Sequence, residues 1–327
     1  MQRSRQLRKT RRLSRYILIF LSGVYPWFSS SAASNLIVYD LIPDLFNFLR
    51  IAPQEKESRA KLFAQSIIQP HPEVYDRPQI FKTDNASLEQ YLGVLPTYLP
   101  AIRQIHHRFQ EEYEPIEANF LKEFPDFDYS KARVYLMLSL FRFDGKIPHD
   151  NPHLLLLGLD GLAKFHGADT RLSVILSHEL FHVYHFQVNP LPRNIDDVAL
   201  YRLVWQEGLA TYVSKQLNPD ASLAEILFDP RLAQEGPRYI PVVARDLLTQ
   251  LESVDDATTA MYLSYWRGGQ IPARMGYLIG YEIASKMAAT KSVRELALLR
   301  GQTLLKLVRR EMQNLATGKS ENQPRIP

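Results

Sequence analysis

The sequence predicts an α+β fold that is predominantly helical, and three observations carry that reading. Two short apolar runs, residues 134–140 and 154–159, have strand length and are bounded by Asp144-Gly145 and Asp160-Gly161. Helical periodicity fills most of the chain on either side of them. Proline and glycine breaks such as Pro70-His71-Pro72, Pro78 and Gly236-Pro237 divide the helical pattern into segments. Taken in order, residues 35–129 read as mostly helical, with 99–124 the longest stretch and breaks at Pro70-His71-Pro72 and Pro78. The two strands follow. Residues 170–188 then carry Leu172, Ile175, Leu176, Leu180, Val183 and Tyr184 at the spacing of a buried amphipathic helix, with Asp169 or Thr170 as its N-cap. Asn189-Pro190-Leu191-Pro192 breaks that helix, and a second begins after Asp196-Asp197 and runs to about Leu217. From 222 to 316 the pattern is again helical, interrupted at Gly236-Pro237 and Gly268-Gly269.

Within the first helix of this hairpin the chain reads His178-Glu179-Leu180-Phe181-His182. Residues i and i+4 share a helical face with Cβ atoms about 6 Å apart, so two imidazole nitrogens can hold one ion between them. Leu180 and Phe181 point back into protein. Burying two histidines without a partner would be costly. Counted from the loop, His182 lies about 9 Å back along the first helix and Glu207 about 14 Å along the second, so antiparallel packing brings them to one level. Glu207 thereby completes a His, His, Glu set. Three protein ligands leave a fourth tetrahedral position for water, as catalytic zinc sites do and structural ones do not.

The segment Trp205-Gln206-Glu207-Gly208-Leu209-Ala210-Thr211-Tyr212 together with the His178 to His182 motif resembles the gluzincin group of zinc metallopeptidases, specifically over residues 154–217 with a weaker echo near Gly276. Gln206 and Leu209 depart from the aminopeptidase pattern. The 24 residues between His182 and Glu207 exceed the spacing of both the thermolysin-like and aminopeptidase branches. The resemblance implies a zincin-like core, Zn2+ held by His178, His182 and Glu207, Glu179 as general base, and a peptide or protein substrate. It also implies an oxyanion donor later in the chain, for which Tyr277 or Arg274 is nominated, helix packing through Gly276 and Gly280 being the alternative role of that segment. Tyr212 reads as a core aromatic, and Thr211 as a group that orients a ligand. Gluzincins bind extended peptides along a strand edge, and residues 154–159 are the strand nominated, a purely internal strand being the alternative. Metzincins place Gly and His where this chain has His185 and Val188, which disfavours that branch. His185 reads either as a residue acting on substrate or ligands, or as a partly exposed group on the cleft wall. His106-His107 reads as solvated surface.

The first 33 residues have the order of an export signal. Arg3, Arg5, Arg8, Lys9, Arg11, Arg12 and Arg15 precede an apolar stretch over 16–28, and Ser29 to Ala33 supply small residues before a cleavage point. A largely apolar stretch of 13 residues falls short of the ~20 that span a bilayer, so membrane attachment is expected only if the segment stays uncleaved. Without this leader, 32 basic residues face 35 acidic ones, a net charge near −3 rather than +4. The pI near 9.0 therefore belongs to the leader and implies no nucleic-acid surface. Zero cysteines exclude disulfides, thiolate catalysis and a lipidated N-terminal Cys, and favour a bacterial periplasm or exterior. The expected organisation is a signal peptide at 1–33, a helical region at 34–129, a catalytic core at 130–220, a C-terminal helical region at 221–316 and a flexible tail at 317–327. The expected function is an exported zinc metallopeptidase. Two other classes stay open: an exported binding or scaffold protein with a remnant zinc site, and a zinc amidase acting on a non-peptide or cell-wall amide.

Overall fold

A run of four leucines at 154–157 has no polar alternate face, so a strand built from it must be covered on both sides. The computed structural model describes residues 36–318, apart from 53–57, 191, 193–197 and 265–268. The expected leader, the tail beyond 318, Leu191, Asp196-Asp197 and Gly268 lie outside the described residues. The chain begins with β1 (Ile37–Asp40), then α1 (Ile42–Ile51), α2 (Arg59–Phe63), α3 (Pro72–Tyr75), α4 (Asn85–Val94) and α5 (Leu99–Glu123). Next come β2 (Arg133–Met137), β3 (Gly145–Lys146), β4 (Leu154–Gly158) and α6 (Leu159–Phe165). The helical hairpin follows as α7 (Leu172–Val188) and α8 (Leu200–Leu217). The remainder is α9 (Leu223–Leu227), α10 (Pro230–Glu235), α11 (Ile240–Gln250), α12 (Asp256–Leu263), α13 (Met275–Ala288), α14 (Val293–Ala297) and α15 (Gly301–Thr317). The structure is an α-rich α+β arrangement with one small mixed sheet.

The sheet order is β1-β2-β4-β3, with β1, β2 and β4 parallel and β3 antiparallel to β4. Three of its features bear on the sequence reading, and the second decides for the internal-strand alternative. β1 lies in the region expected to be helical: four residues are too few to show a period, and their partner, β2, is far away in sequence (Ile37 opposite Arg133). β4 is not an edge, because β3 covers its outer side, Gly145 pairing Leu157 and Lys146 pairing Leu156. Asp160-Gly161 is no turn but the first turn of α6, where the buried Asp160 carboxylate accepts the N–H groups of Ser139 (2.6 Å) and Phe141 (2.8 Å). Those bonds hold a loop in which Leu140 and Phe141 both have positive φ (55° and 59°), a conformation that costs energy without such a clamp.

Helix α7 is buried on nearly every side rather than along one stripe, so it forms the centre of the molecule. It packs against α5, β4 and α8, and α8 packs in turn against α13. The hairpin is antiparallel: the Ser214 hydroxyl donates to the Val174 carbonyl (2.7 Å) and the Asn218 amide reaches the Ser177 hydroxyl (3.3 Å) near one end of the pair, while His182 and Glu207 meet toward the other. Arg171, not Asp169 or Thr170, occupies the N-cap of α7 and gives no side-chain cap. Its guanidinium instead binds Asp220 (2.7 Å), tying the start of α7 to the turn after α8. The first amides of α8 are satisfied by the carbonyls of Ser253 and Leu251, 2.8 Å each, which fixes where that helix begins.

Candidate metal centre

Glycine sets the depth at which α8 and α13 meet. A Cβ on Gly208 would stand 2.5 Å from the Gly280 carbonyl oxygen, and one on Gly280 would stand 2.8 Å from the Gly208 Cα. The two backbones are therefore in direct contact, one residue along from Glu207 and less than one turn from Tyr277. Gly276 serves a different neighbour, packing against Leu263 and the Tyr262 carbonyl of α12.

Across the α7–α8 seam the three expected ligands converge. His178 Nε2 lies 3.0 Å from His182 Nε2 and 3.3 Å from Glu207 Oε2, and His182 Nε2 lies 3.4 Å from the same oxygen. Ligands at about 2.0–2.1 Å from a tetrahedral zinc stand about 3.3 Å from one another, so this triangle has the edges of such a site. Among the described residues, these three form the one group of His, Cys, Asp or Glu side chains able to share an ion. Among the described residues no hydrogen-bond partner reaches Nδ1 of His178 or His182, and both rings present Nε2 to the shared point.

Charges in the cluster are coupled. Burial opposes ionisation of Glu207, but His182 and His178 outweigh it and hold the carboxyl well below its usual range. Burial likewise opposes a charge on His182, yet Glu207 and Glu179 raise its pKa. Burial, with the charge of His182, lowers that of His178. A proton on His182 thus does part of what a cation would do between two nitrogens and an oxygen. Glu179 sits behind the first histidine, and burial, reinforced by Asp144 and Glu207 against the pull of His182 and Lys146, pushes its carboxyl up to about 8. Such a group is poised to exchange a proton near neutrality.

All four residues line a cleft of about 570 Å³. Tyr277 lines it too, its ring nearly parallel to that of His178 with centroids 6.3 Å apart. The buried Arg274 guanidinium lies 3.9 Å from the centre of the Tyr277 ring and donates to the Leu227 carbonyl (2.8 Å). Arg274 has φ of 56°, so the residue that starts α13 is held in a sparsely populated conformation at the cleft wall. Other nominated residues lie elsewhere. The Thr211 hydroxyl bonds the Glu207 backbone carbonyl (2.8 Å), not its carboxylate. Tyr212 packs against Tyr281 outside the cleft lining. His185 is buried between Phe181 and Phe186, its pKa pressed to about 3 by burial and by the charge of His182, and it reaches neither substrate space nor solvent. His107 is exposed as expected, but His106 is buried with Nε2 2.6 Å from Asp40. Its partner Asp40 ends β1, a strand too short to show a period in the sequence.

Sequence reasoning gave no place at the cleft to Asp144, Gly145 and Lys146, which form part of its wall. Asp144 binds the His166 Nε2 at 2.6 Å and accepts the Gly145 N–H at 2.8 Å. A strand of two residues leaves no alternation to detect, and Asp144-Gly145 carries the composition of a turn.

Residues 162–306 match the model of a family described as "Predicted Zn-dependent protease (DUF2268)". The resemblance is to zinc-dependent proteases. It covers less than half of the chain, including α7, α8 and α13 but not the sheet. No curated protein and no solved structure matches the chain.

Proposed function

We propose that this protein is a zinc metallopeptidase of gluzincin type, with His178, His182 and Glu207 holding the ion, Glu179 as general base and Tyr277 as oxyanion donor. The single observation that carries the reading is the triangle of two nitrogens and one oxygen at 3.0–3.4 Å, with a carboxyl group of raised pKa beside it in an open cleft. When bound, zinc supplies a Lewis acid that acidifies water, polarises a carbonyl and draws the Glu179 pKa back down. Glu179 takes a proton from the attacking water and returns it to the departing amine, a cycle that keeps the net charge of the base unchanged over one turnover. Tyr277 donates its hydroxyl to the carbonyl oxygen as negative charge gathers there. The substrate lies along β3, which pairs with β4 on one side and faces the cleft on the other, so a peptide adds as a further strand. β3 therefore takes the place that sequence reasoning gave to β4.

A broad peptide digest, run alongside metal analysis of the same preparation, tests this reading. Native protein should carry one zinc and cleave. Glu179→Gln should keep the zinc while the rate falls by about 10²–10⁴, and Tyr277→Phe should keep it with a fall of about 10-fold or more. Zinc bound by native protein without cleavage of any peptide would overturn the peptidase assignment and favour the binding-protein or amidase class. Export is part of the proposal through the leader at 1–33, and mass spectrometry of the protein from a bacterial periplasm should find it shortened to begin near Ser34.

A further inference from the structure

The segment Phe143-Asp144-Gly145 is held from both sides. Behind it, the Phe143 carbonyl rests on two glycines: a Cβ on Gly158 would stand 2.6 Å from that oxygen, and one on Gly161 would overlap it outright. The Asp144 carbonyl accepts the Gly158 N–H at 2.8 Å, and its side chain is bound by His166 at 2.6 Å. In front lies the Glu179 side chain. A Cβ on Gly145 would fall 2.7 Å from Glu179 Cγ and 2.5 Å from its Oε1, inside hard contact for carbon and oxygen. Edge strand and base therefore touch, with backbone against carboxyl group and no side chain between.

We propose that Gly145 is the positioning residue of this site: by lacking a Cβ, it fixes where the Glu179 carboxyl group stands relative to the strand edge that receives the peptide. The inference rests on the peptidase reading for its kinetic consequence, but not for its geometry. If a methyl group were placed on residue 145, the strand could not retreat, because Gly158 and Gly161 leave no room behind Phe143. The cheapest response is rotation of Glu179, whose far end is the flexible partner. The protein would then stay folded and keep its ligands while its base moved.

Gly145→Ala tests this. The crystal structure of the variant should show the Glu179 carboxyl displaced by about 1 Å or more, with His178, His182 and Glu207 unmoved. Thermal unfolding and zinc content should match native protein, while kcat falls by about 10–100-fold. Shortening the base should relieve the conflict. Glu179→Asp alone is impaired, but adding Gly145→Ala to it should cost less than about threefold, since the shorter carboxylate clears the methyl group. Equal penalties in both backgrounds, or an undisplaced carboxyl group in the crystal, would overturn the proposal. If Gly145→Ala does not fold, Gly145→Ala in the Glu179→Ala background decides instead: with no carboxyl group to displace it should fold, and failure there too would contradict the proposal. If native protein cleaves nothing, the peptidase reading fails, and the crystallographic comparison still decides the role of Gly145.

Discussion

Buried histidines meet carboxylates in two regions of this molecule, and the arrangements differ. Near the N-terminus, His106 faces Asp40 at 2.6 Å, and His71 faces Asp44 at 2.9 Å and Glu73 at 3.4 Å. Each is one ring served by its own acceptors. Burial opposes a charge on His71, but Asp44 and Glu73 raise its pKa above the ordinary value. At the α7–α8 seam two rings compete for one carboxylate, and their nitrogens stand only 3.0 Å apart. One proton cannot satisfy two nitrogens and an oxygen equally, whereas a divalent cation can. Convergence of donors, not burial or proximity to acid, separates a candidate metal centre from a structural ion pair.

The largest effects should follow from removing a member of the convergent set. His178→Ala or Glu207→Ala should weaken zinc binding by about 10–100-fold or more and abolish cleavage, measured by metal analysis and competition with a chelator. His106→Ala should leave zinc content unchanged and cost about 1–3 kcal/mol of stability in denaturant unfolding, because Asp40 loses its partner. Zinc loss in His106→Ala would erase the distinction between the two regions.

A smaller effect tests the frame that holds the set. Gly208→Ala places a methyl group on the Gly280 backbone, where no flexible side chain can yield, and should cost about 1–3 kcal/mol. Because Glu207 is its neighbour, zinc affinity should fall as well. The matched change in the N-terminal half, Gly93→Ala, meets no atom and should stabilise or leave unchanged the helix that carries it.

The smallest effect at neutral pH concerns His185, a buried ring outside both arrangements. Its pKa lies near 3 in the folded protein against 6.5 as the ordinary value. Between those values the unfolded chain binds a proton that the folded protein refuses. Stability from this residue is therefore present above about 6.5 and is lost as pH falls, at up to about 1.4 kcal/mol per pH unit. His185→Phe should flatten that part of the acid limb in urea titrations, and an unchanged slope would show that His185 is not what makes the fold sensitive to acid.

The convergence of His178, His182 and Glu207 was legible because its signal is local. His178 and His182 are one turn apart, and Glu207 lies on the helix returning from the next loop, so helical rise alone placed them together. The α-rich class and both long strands were legible from apolar runs for the same reason. What escaped depends on contacts distant in sequence. β1 exists because β2 receives it, β3 because β4 does, and His106 is buried because β1 brings Asp40 to it. The N-cap of α7 was misread because Arg171 finds Asp220 on the far side of the hairpin, which no local rule for capping includes. Gly145 resembled a turn residue and became a contact of Glu179 only when the sheet edge was in place.

Anomalous diffraction at the zinc edge from crystals of zinc-loaded native protein tests the central claim most directly. The expected result is one strong peak about 2.0–2.1 Å from Nε2 of His178, Nε2 of His182 and a carboxylate oxygen of Glu207, with its fourth side open to the cleft. A peak at any other cluster, or one at the two histidines with Glu207 turned away, would contradict it.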